Sequence, residues 1–160
     1  MTVENIRFAE INDPKQKSDF TLNILNKLPQ WFSDKKAVKE YAKKVRELPF
    51  WAALNEHNIC IGFLAAQAHY GHTAEIYVCG VSPEYQHKGI GKRLYYLMEK
   101  HFEDIGCKHI IVKTLSDKAD SKEYAETRKF YTNVGFEPLI TLTEMWDEKN
   151  PCLIMIKELR

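Results

Sequence analysis

Gln86-His87-Lys88-Gly89-Ile90-Gly91-Lys92-Arg93 is the segment of this 160-residue chain whose residue types point most directly to chemistry. It follows a run that reads as a strand, Ala74 to Val81, and a Ser82-Pro83 break. It opens a run that reads as a helix, from about His87 to Ile105. Two glycines and three cations (Lys88, Lys92, Arg93) at a strand-to-helix turn suit a pyrophosphate. The glycines let the backbone come close, the N–H groups of the first helical turn point outward, and the helix dipole favours an anion. The plain alternative is a capped turn with solvated lysines. Two common nucleotide motifs fail at named positions. A dinucleotide fingerprint needs glycine at 94, where the chain has Leu94. A P-loop needs glycine at 86 and Ser or Thr at 93, where it has Gln86 and Arg93.

The elements that must position this turn follow from periodicity and punctuation. Val3 to Ile11 alternates and reads as a first strand. Asp13-Pro14 starts a helix that runs to about Leu28, where Pro29 ends it. Ser33 can cap a second helix with Ala37, Val38, Tyr41, Ala42 and Val45 on its apolar face and lysines 35, 36, 39, 43 and 44 as a solvated face. Phe50–Asn55 and Ile59–Tyr70 read as strands joined near Glu56-His57-Asn58. Gly71-His72-Thr73 turns into Ala74–Val81. The next helix has Ile90, Leu94, Leu97, Met98, Phe102 and Ile105 on one face, and Gly106 stops it. Lys108–Leu115 is a strand. Asp120 with Glu123 resembles a capping box for a helix over 121–134, ended by Gly135. Phe136–Met145 and Cys152–Leu159 close the chain as strands. The predicted order is β-α-α-β-β-β-α-β-α-β-β, without repeats or linkers.

Composition bounds the rest. The length suits a single domain, 1–160, with 44% apolar and 28% charged residues. Its 23 basic and 22 acidic residues leave a net charge of +1, which gives no footprint for nucleic acid or an anionic membrane. Cys60, Cys79, Cys107 and Cys152 are far apart, in or beside apolar runs, and are expected as buried thiols. The N-terminus has no apolar signal core and no run approaches a membrane span, so the expected location is cytoplasmic.

A second segment narrows the reading of the turn. Phe130-Tyr131-Thr132-Asn133-Val134-Gly135-Phe136 lies 40 to 50 residues on. The pattern Gln/Arg-x-x-Gly-x-Gly, helix, strand, helix, then Phe-Tyr-x-x-x-Gly-Phe resembles the GNAT superfamily of acetyl-CoA-dependent N-acetyltransferases. The paired motifs cover roughly 74–137. Leu28-Pro29-Gln30-Trp31-Phe32 and Asn150-Pro151-Cys152-Leu153-Ile154-Met155 resemble features of a bacterial, uncharacterised branch of it.

The resemblance implies an α+β fold with α/β/α layers. A mixed, mostly antiparallel sheet of about six or seven strands would splay between two central parallel strands, 74–81 and 108–115, with about four helices. It implies acetyl-CoA as co-substrate, no metal, an amine acceptor and direct attack in a ternary complex; a homodimer is common in the superfamily. Cys79 N–H would hold the acetyl carbonyl and Val81 would bond the pantetheine amides. Gln86, His87, Lys88, Gly89, Ile90, Gly91 and Lys92 would wrap the pyrophosphate through backbone N–H groups, while Arg93 turns outward.

Glu75 matches the catalytic glutamate of the histone-acetyltransferase branch, and it shares a strand face with Tyr77 and Cys79 if no bulge intervenes. His69 and His72 are fallback bases. Tyr131 matches the tyrosine that protonates the coenzyme A sulfur. It is expected to turn away from a core-facing pair, Phe130 and Val134. Trp31, Phe32, Trp51, Tyr124 and Trp146 are candidate acceptor-wall or core residues. The pantetheine-bonding asparagine of many relatives is absent; Ser116, Asp117, Ser121 and Lys122 stand there. The competing functions are an acyl-CoA-binding module without catalysis and an acyltransferase with another acyl donor or an O-nucleophile.

Overall fold

The elements fall in the predicted order in the computed structural model, which describes residues 5–160. The strands are β1 (Arg7–Glu10), β2 (Phe50–Leu54), β3 (Cys60–His69), β4 (Thr73–Val81), β5 (His109–Leu115), β6 (Glu137–Asp147) and β7 (Asn150–Glu158). The helices are α1 (Pro14–Leu25), α2 (Lys35–Lys44), α3 (Ile90–Asp104) and α4 (Lys122–Asn133). One seven-stranded sheet runs in the order β1-β2-β3-β4-β5-β7-β6. β4 and β5 pair in parallel, whereas β1–β2, β2–β3, β5–β7 and β6–β7 are antiparallel. This is the mixed, mostly antiparallel α+β architecture that the resemblance implies. The first strand is shorter than predicted; Val3 and Glu4 lie outside the described residues.

The chain divides into two compact units. The first comprises residues up to Gln67 together with Tyr77–His101; the second comprises Ala68–Ile76 and Phe102–Arg160. In the first, the Asp13 carboxylate accepts the Gln16 N–H at 3.1 Å and Pro14 opens α1. α1 ends at Leu25, three residues early, because the residue before Pro29 avoids helical backbone. The following turn tightens instead, with Lys27 and Leu28 N–H groups on the Ile24 and Leu25 carbonyls at 3.0 Å. Asp34, not Ser33, caps α2, accepting from Lys36 N–H and Ala37 N–H. The α2 lysines are exposed, while Val38 and Ala42 are buried with Ile24, Leu25, Leu28 and the stacked rings of Phe50 and Phe63. On α3 the buried face is Ile90, Leu94, Tyr95, Met98 and Phe102. Leu97 and Ile105, predicted there, are exposed, and Tyr95 is buried in their stead. Its hydroxyl donates to Glu99 at 2.8 Å, which lets the ring enter the core without an orphaned polar end.

In the second unit, β5 pairs with β7 from His109–Glu158 to Leu115–Cys152, and the β6–β7 hairpin closes at Asp147 and Asn150. The Asp147 carboxylate accepts the Lys149 and Asn150 N–H groups at 2.9 Å. Ser121 caps α4 by accepting the Tyr124 N–H at 3.2 Å, in place of the predicted Asp120–Glu123 box. The parallel ladder joins Thr73–Ile76 to His109–Val112. It ends there, although β4 continues to Val81 and β5 to Leu115.

Candidate active site

The first unit builds an anion-ready helix start. Ser82 is buried, its N–H bonds the Ile61 carbonyl at 2.9 Å, and its hydroxyl donates to Glu84, holding that carboxyl below the usual range. Pro83–Tyr85 form a 3-10 turn. The chain then passes through left-handed backbone at His87 (φ 62°) and Gly89 (φ 83°). That conformation delays α3 to Ile90, where the sequence predicts a start near His87. Arg93 N–H takes the Gly89 carbonyl at 3.1 Å as the first intrahelical bond, so the N–H groups of Ile90, Gly91 and Lys92 have no acceptor within the helix. His87, Lys88, Gly89 and Lys92 are exposed, and Ile90 anchors the turn with a buried side chain.

The contribution of Gln86 changes, while Arg93 turns outward as expected. Gln86 N–H is used by the Pro83 carbonyl at 3.3 Å, and its side-chain amide donates to the Val81 carbonyl at 3.0 Å. Gln86 therefore shapes the turn and takes one of the two lone pairs on the Val81 carbonyl. Arg93 sets its guanidinium 4.4 Å from the centroid of the Phe8 ring, a cation–π contact that keeps it off the turn.

The end of β4 is shaped by close packing. A side chain at Gly80 would meet Leu28 at 2.9 Å and Ile24 at 3.0 Å. Tyr77 and Val78 are neighbours in sequence, yet both pack on the α1–α2 core cluster, and Tyr77 meets Tyr41 edge-on at 5.3 Å. Val81 instead lies against the position of a Gly62 side chain together with Ile90 and Leu94 of α3. Val78 is buried in the α1–α2 cluster and Tyr77 is half-buried at its edge. Cys79 is half-buried, whereas Cys60, Cys107 and Cys152 are buried, and none of the four is in a disulfide.

The second unit gathers a titratable cluster. Glu75 is buried, with its side chain 7% exposed. His69 Nε2 lies 2.7 Å from Glu75 Oε1, and Lys113 Nζ lies 3.3 Å from Oε2. Burial pushes the Cys152 thiol up, with Lys113 and Glu75 acting on it in opposite senses. His72 goes elsewhere: its Nδ1 is 2.7 Å from Thr73 Oγ1 and its carbonyl accepts from Lys108 N–H. Of the predicted core pair, Val134 is buried as expected, but Tyr131 is buried and Phe130 half-buried, opposite to the expectation for those two. After Gly135 (φ 109°) the chain folds back so that Phe136 meets the Tyr131 ring at 5.6 Å and its N–H bonds the Tyr131 carbonyl.

Sequence reasoning missed Lys113 and Thr114. Thr114 Oγ1 is buried on the part of β5 beyond the ladder and is the buried side-chain polar atom, among the described residues, that lacks a hydrogen-bond partner. The Ser116 and Ser121 hydroxyls are engaged locally, by Asp117 and Lys118 N–H and by Tyr124 N–H. Trp51 is core, Trp31, Phe32 and Tyr124 are half-buried, and Trp146 is exposed.

Residues 18–136 match the acetyltransferase (GNAT) family. The chain belongs to that family. A curated relative, the mycothiol acetyltransferase of Saccharopolyspora erythraea, is 28% identical over 116 residues, 66% of this chain and 38% of its own length. The chain therefore spans well under half of that relative. Two solved structures share the GNAT fold. A GNAT-family protein from Desulfovibrio desulfuricans has a TM-score of 0.80 at 18% identity, covering 96% of this chain and 98% of its own. An aminoglycoside 6'-N-acetyltransferase complexed with coenzyme A has a TM-score of 0.75 at 19% identity, covering 95% and 96%. No helix among the described residues is long and apolar enough to cross a membrane.

Proposed function

We propose that this GNAT chain works as one domain over residues 1–160 and transfers the acetyl group of acetyl-CoA to a primary amine by direct attack in a ternary complex. The observation that carries the reading is the turn before α3. Left-handed backbone at His87 and Gly89 precedes a 15-residue helix whose first N–H groups have no internal acceptor. The pyrophosphate binds there, on His87–Lys92, with Lys88 and Lys92 adding charge.

Cys79 N–H holds the acetyl carbonyl and stabilises the oxyanion that forms on attack. The second lone pair of the Val81 carbonyl serves the pantetheine. The orphaned Thr114 hydroxyl is the kind of group an amide-bearing ligand satisfies, and it stands in for the missing asparagine. A lysine-like amine is only about one part in a thousand neutral near pH 7.4, so a base is needed. Glu75 takes that proton and Tyr131 returns one to the leaving thiolate. The buried cysteines suit a reducing, cytoplasmic setting. One structural neighbour is an N-acetyltransferase acting on an aminoglycoside, and the amine class of acceptor is carried over from it as part of this proposal.

The test is thiol release from acetyl-CoA across kanamycin, tyramine and a peptide with a free α-amine, with product masses. A mass gain of one acetyl group on an amine supports the reading. Tight acetyl-CoA binding without turnover of any amine refutes it in favour of a binding module.

A further inference from the structure

We propose that His69 and Glu75 form one proton-carrying pair, with His69 the residue that returns the Glu75 proton to water; this rests on the acetyl-transfer reading above. Glu75 alone is poorly placed to recycle. Its side chain is 7% exposed, so a proton accepted there has little direct access to solvent. His69 Nε2 lies 2.7 Å from Oε1, and the His69 side chain is 40% exposed. One end of the imidazole therefore touches the carboxylate while its ring is open to water. Lys113 holds the other oxygen at 3.3 Å and Cys152 lies nearby with its thiol pushed up by burial, so neither competes for the 2.7 Å contact. A buried carboxylate needs such partners to stay in place.

The proton balance closes. The acceptor ammonium gives one proton to the Glu75 carboxylate and becomes the neutral amine. At rest the ionised Glu75 carboxylate accepts the His69 Nε2–H across 2.7 Å; once Glu75 is protonated, exchange with water moves the ring proton to Nδ1, and Glu75 passes its proton to the vacated Nε2, giving imidazolium and restoring the carboxylate. The imidazolium then loses its Nδ1 proton to water, which restores the starting Nε2–H tautomer. A relay of this kind works only while His69 begins neutral, so kcat/KM must rise with pH.

The first measurement needs no acceptor: the His69 ring nitrogens are observed by NMR in wild type and in Glu75→Gln. Removing the carboxylate should move the Nε2 resonance of His69 and leave that of His72 in place, and an unmoved His69 resonance overturns the pair. The second uses whichever of kanamycin, tyramine or the peptide the wild type acetylates. His69→Gln should cut kcat at least tenfold, leave the acetyl-CoA Kd within twofold, and change the shape of the kcat/KM pH profile. Added imidazole should restore turnover to His69→Ala, a rescue that a structural histidine would not permit. Turnover of His69→Gln within twofold of wild type overturns the relay and leaves the enzyme reading standing. A wild type that acetylates none of the three amines overturns both.

Discussion

Gly89→Asp separates what the turn does for folding from what it does for the cofactor. Gly89 has φ +83° and a Cβ built there meets nothing within 4 Å, so a side chain finds open space. The folding cost is therefore backbone strain alone, about 1–2 kcal/mol for an L-residue held left-handed. In a chain of this length that lowers Tm by roughly 2–8 °C. The cofactor cost is larger. A carboxylate at the residue before α3 would sit within about 5 Å of a bound pyrophosphate, and each phosphate charge at that range repels it by about 1–3 kcal/mol at an effective dielectric between that of water and 20. Two such charges give at least about 2 kcal/mol, a Kd for acetyl-CoA weakened roughly 30-fold or more. Gly89→Ala carries the strain without the charge and should lose similar stability with far less loss of affinity. Calorimetric titration with acetyl-CoA, beside thermal melts and circular dichroism, reads both quantities. An acetyl-CoA Kd for Gly89→Asp within threefold of wild type would refute the placement of the pyrophosphate.

Four further outcomes are expected. Tyr131→Phe should lower kcat at least about tenfold while changing KM for acetyl-CoA little, because a general acid acts in the transition state; unchanged kcat removes that role. Gly80→Ala should cost about 1–3 kcal/mol, since its Cβ would press on Leu28 at 2.9 Å and Ile24 at 3.0 Å in a buried cluster, and an unchanged Tm would show that those side chains yield freely. Iodoacetamide at pH 8 should label Cys79 before Cys60, Cys107 and Cys152, whose thiols burial pushes up, and acetyl-CoA should slow the Cys79 reaction. Because the Cys60 thiol rises from 9.0 to about 12, the unfolded chain ionises it first. Its contribution to stability is intact below pH 9 and is lost between pH 9 and 12, by up to about 1.4 kcal/mol per pH unit. Urea titrations at pH 8.5 and 10.5 on wild type and Cys60→Ala check that slope, and equal slopes count against it.

The elements were legible because their punctuation is local. Asp13-Pro14, Gly106 and Gly135 each mark an end through a rule that acts over a few residues. The helix faces were less so. Leu97 and Ile105 have the spacing of α3's apolar stripe, yet they are exposed, because a tyrosine with a nearby glutamate could fill the core and satisfy its own hydroxyl. Periodicity weighs a tyrosine as half polar and cannot see that Glu99 completes it. Tyr131 was misplaced for a related reason. What buries it is Phe136, brought back by the left-handed turn at Gly135, and helical spacing within α4 carries no information about a residue beyond its end.

The site shows the same division between local and distant information. The anion turn was readable because glycines, lysines and a helix start are contiguous. Arg93 was readable only as turned outward, since the ring that takes its guanidinium, Phe8, lies 85 residues earlier in sequence. Glu75 falls between these cases. A lone glutamate between Ala74 and Ile76 in an apolar strand announces a buried charge, and a buried charge must have partners. His69, named as a fallback base, is only six residues away across the turn that joins β3 to β4. Lys113 could not have been named, because its approach depends on the parallel register that sets Glu75 beside Ile111. That register is a property of strand pairing, and it decides which cation holds the Glu75 carboxylate.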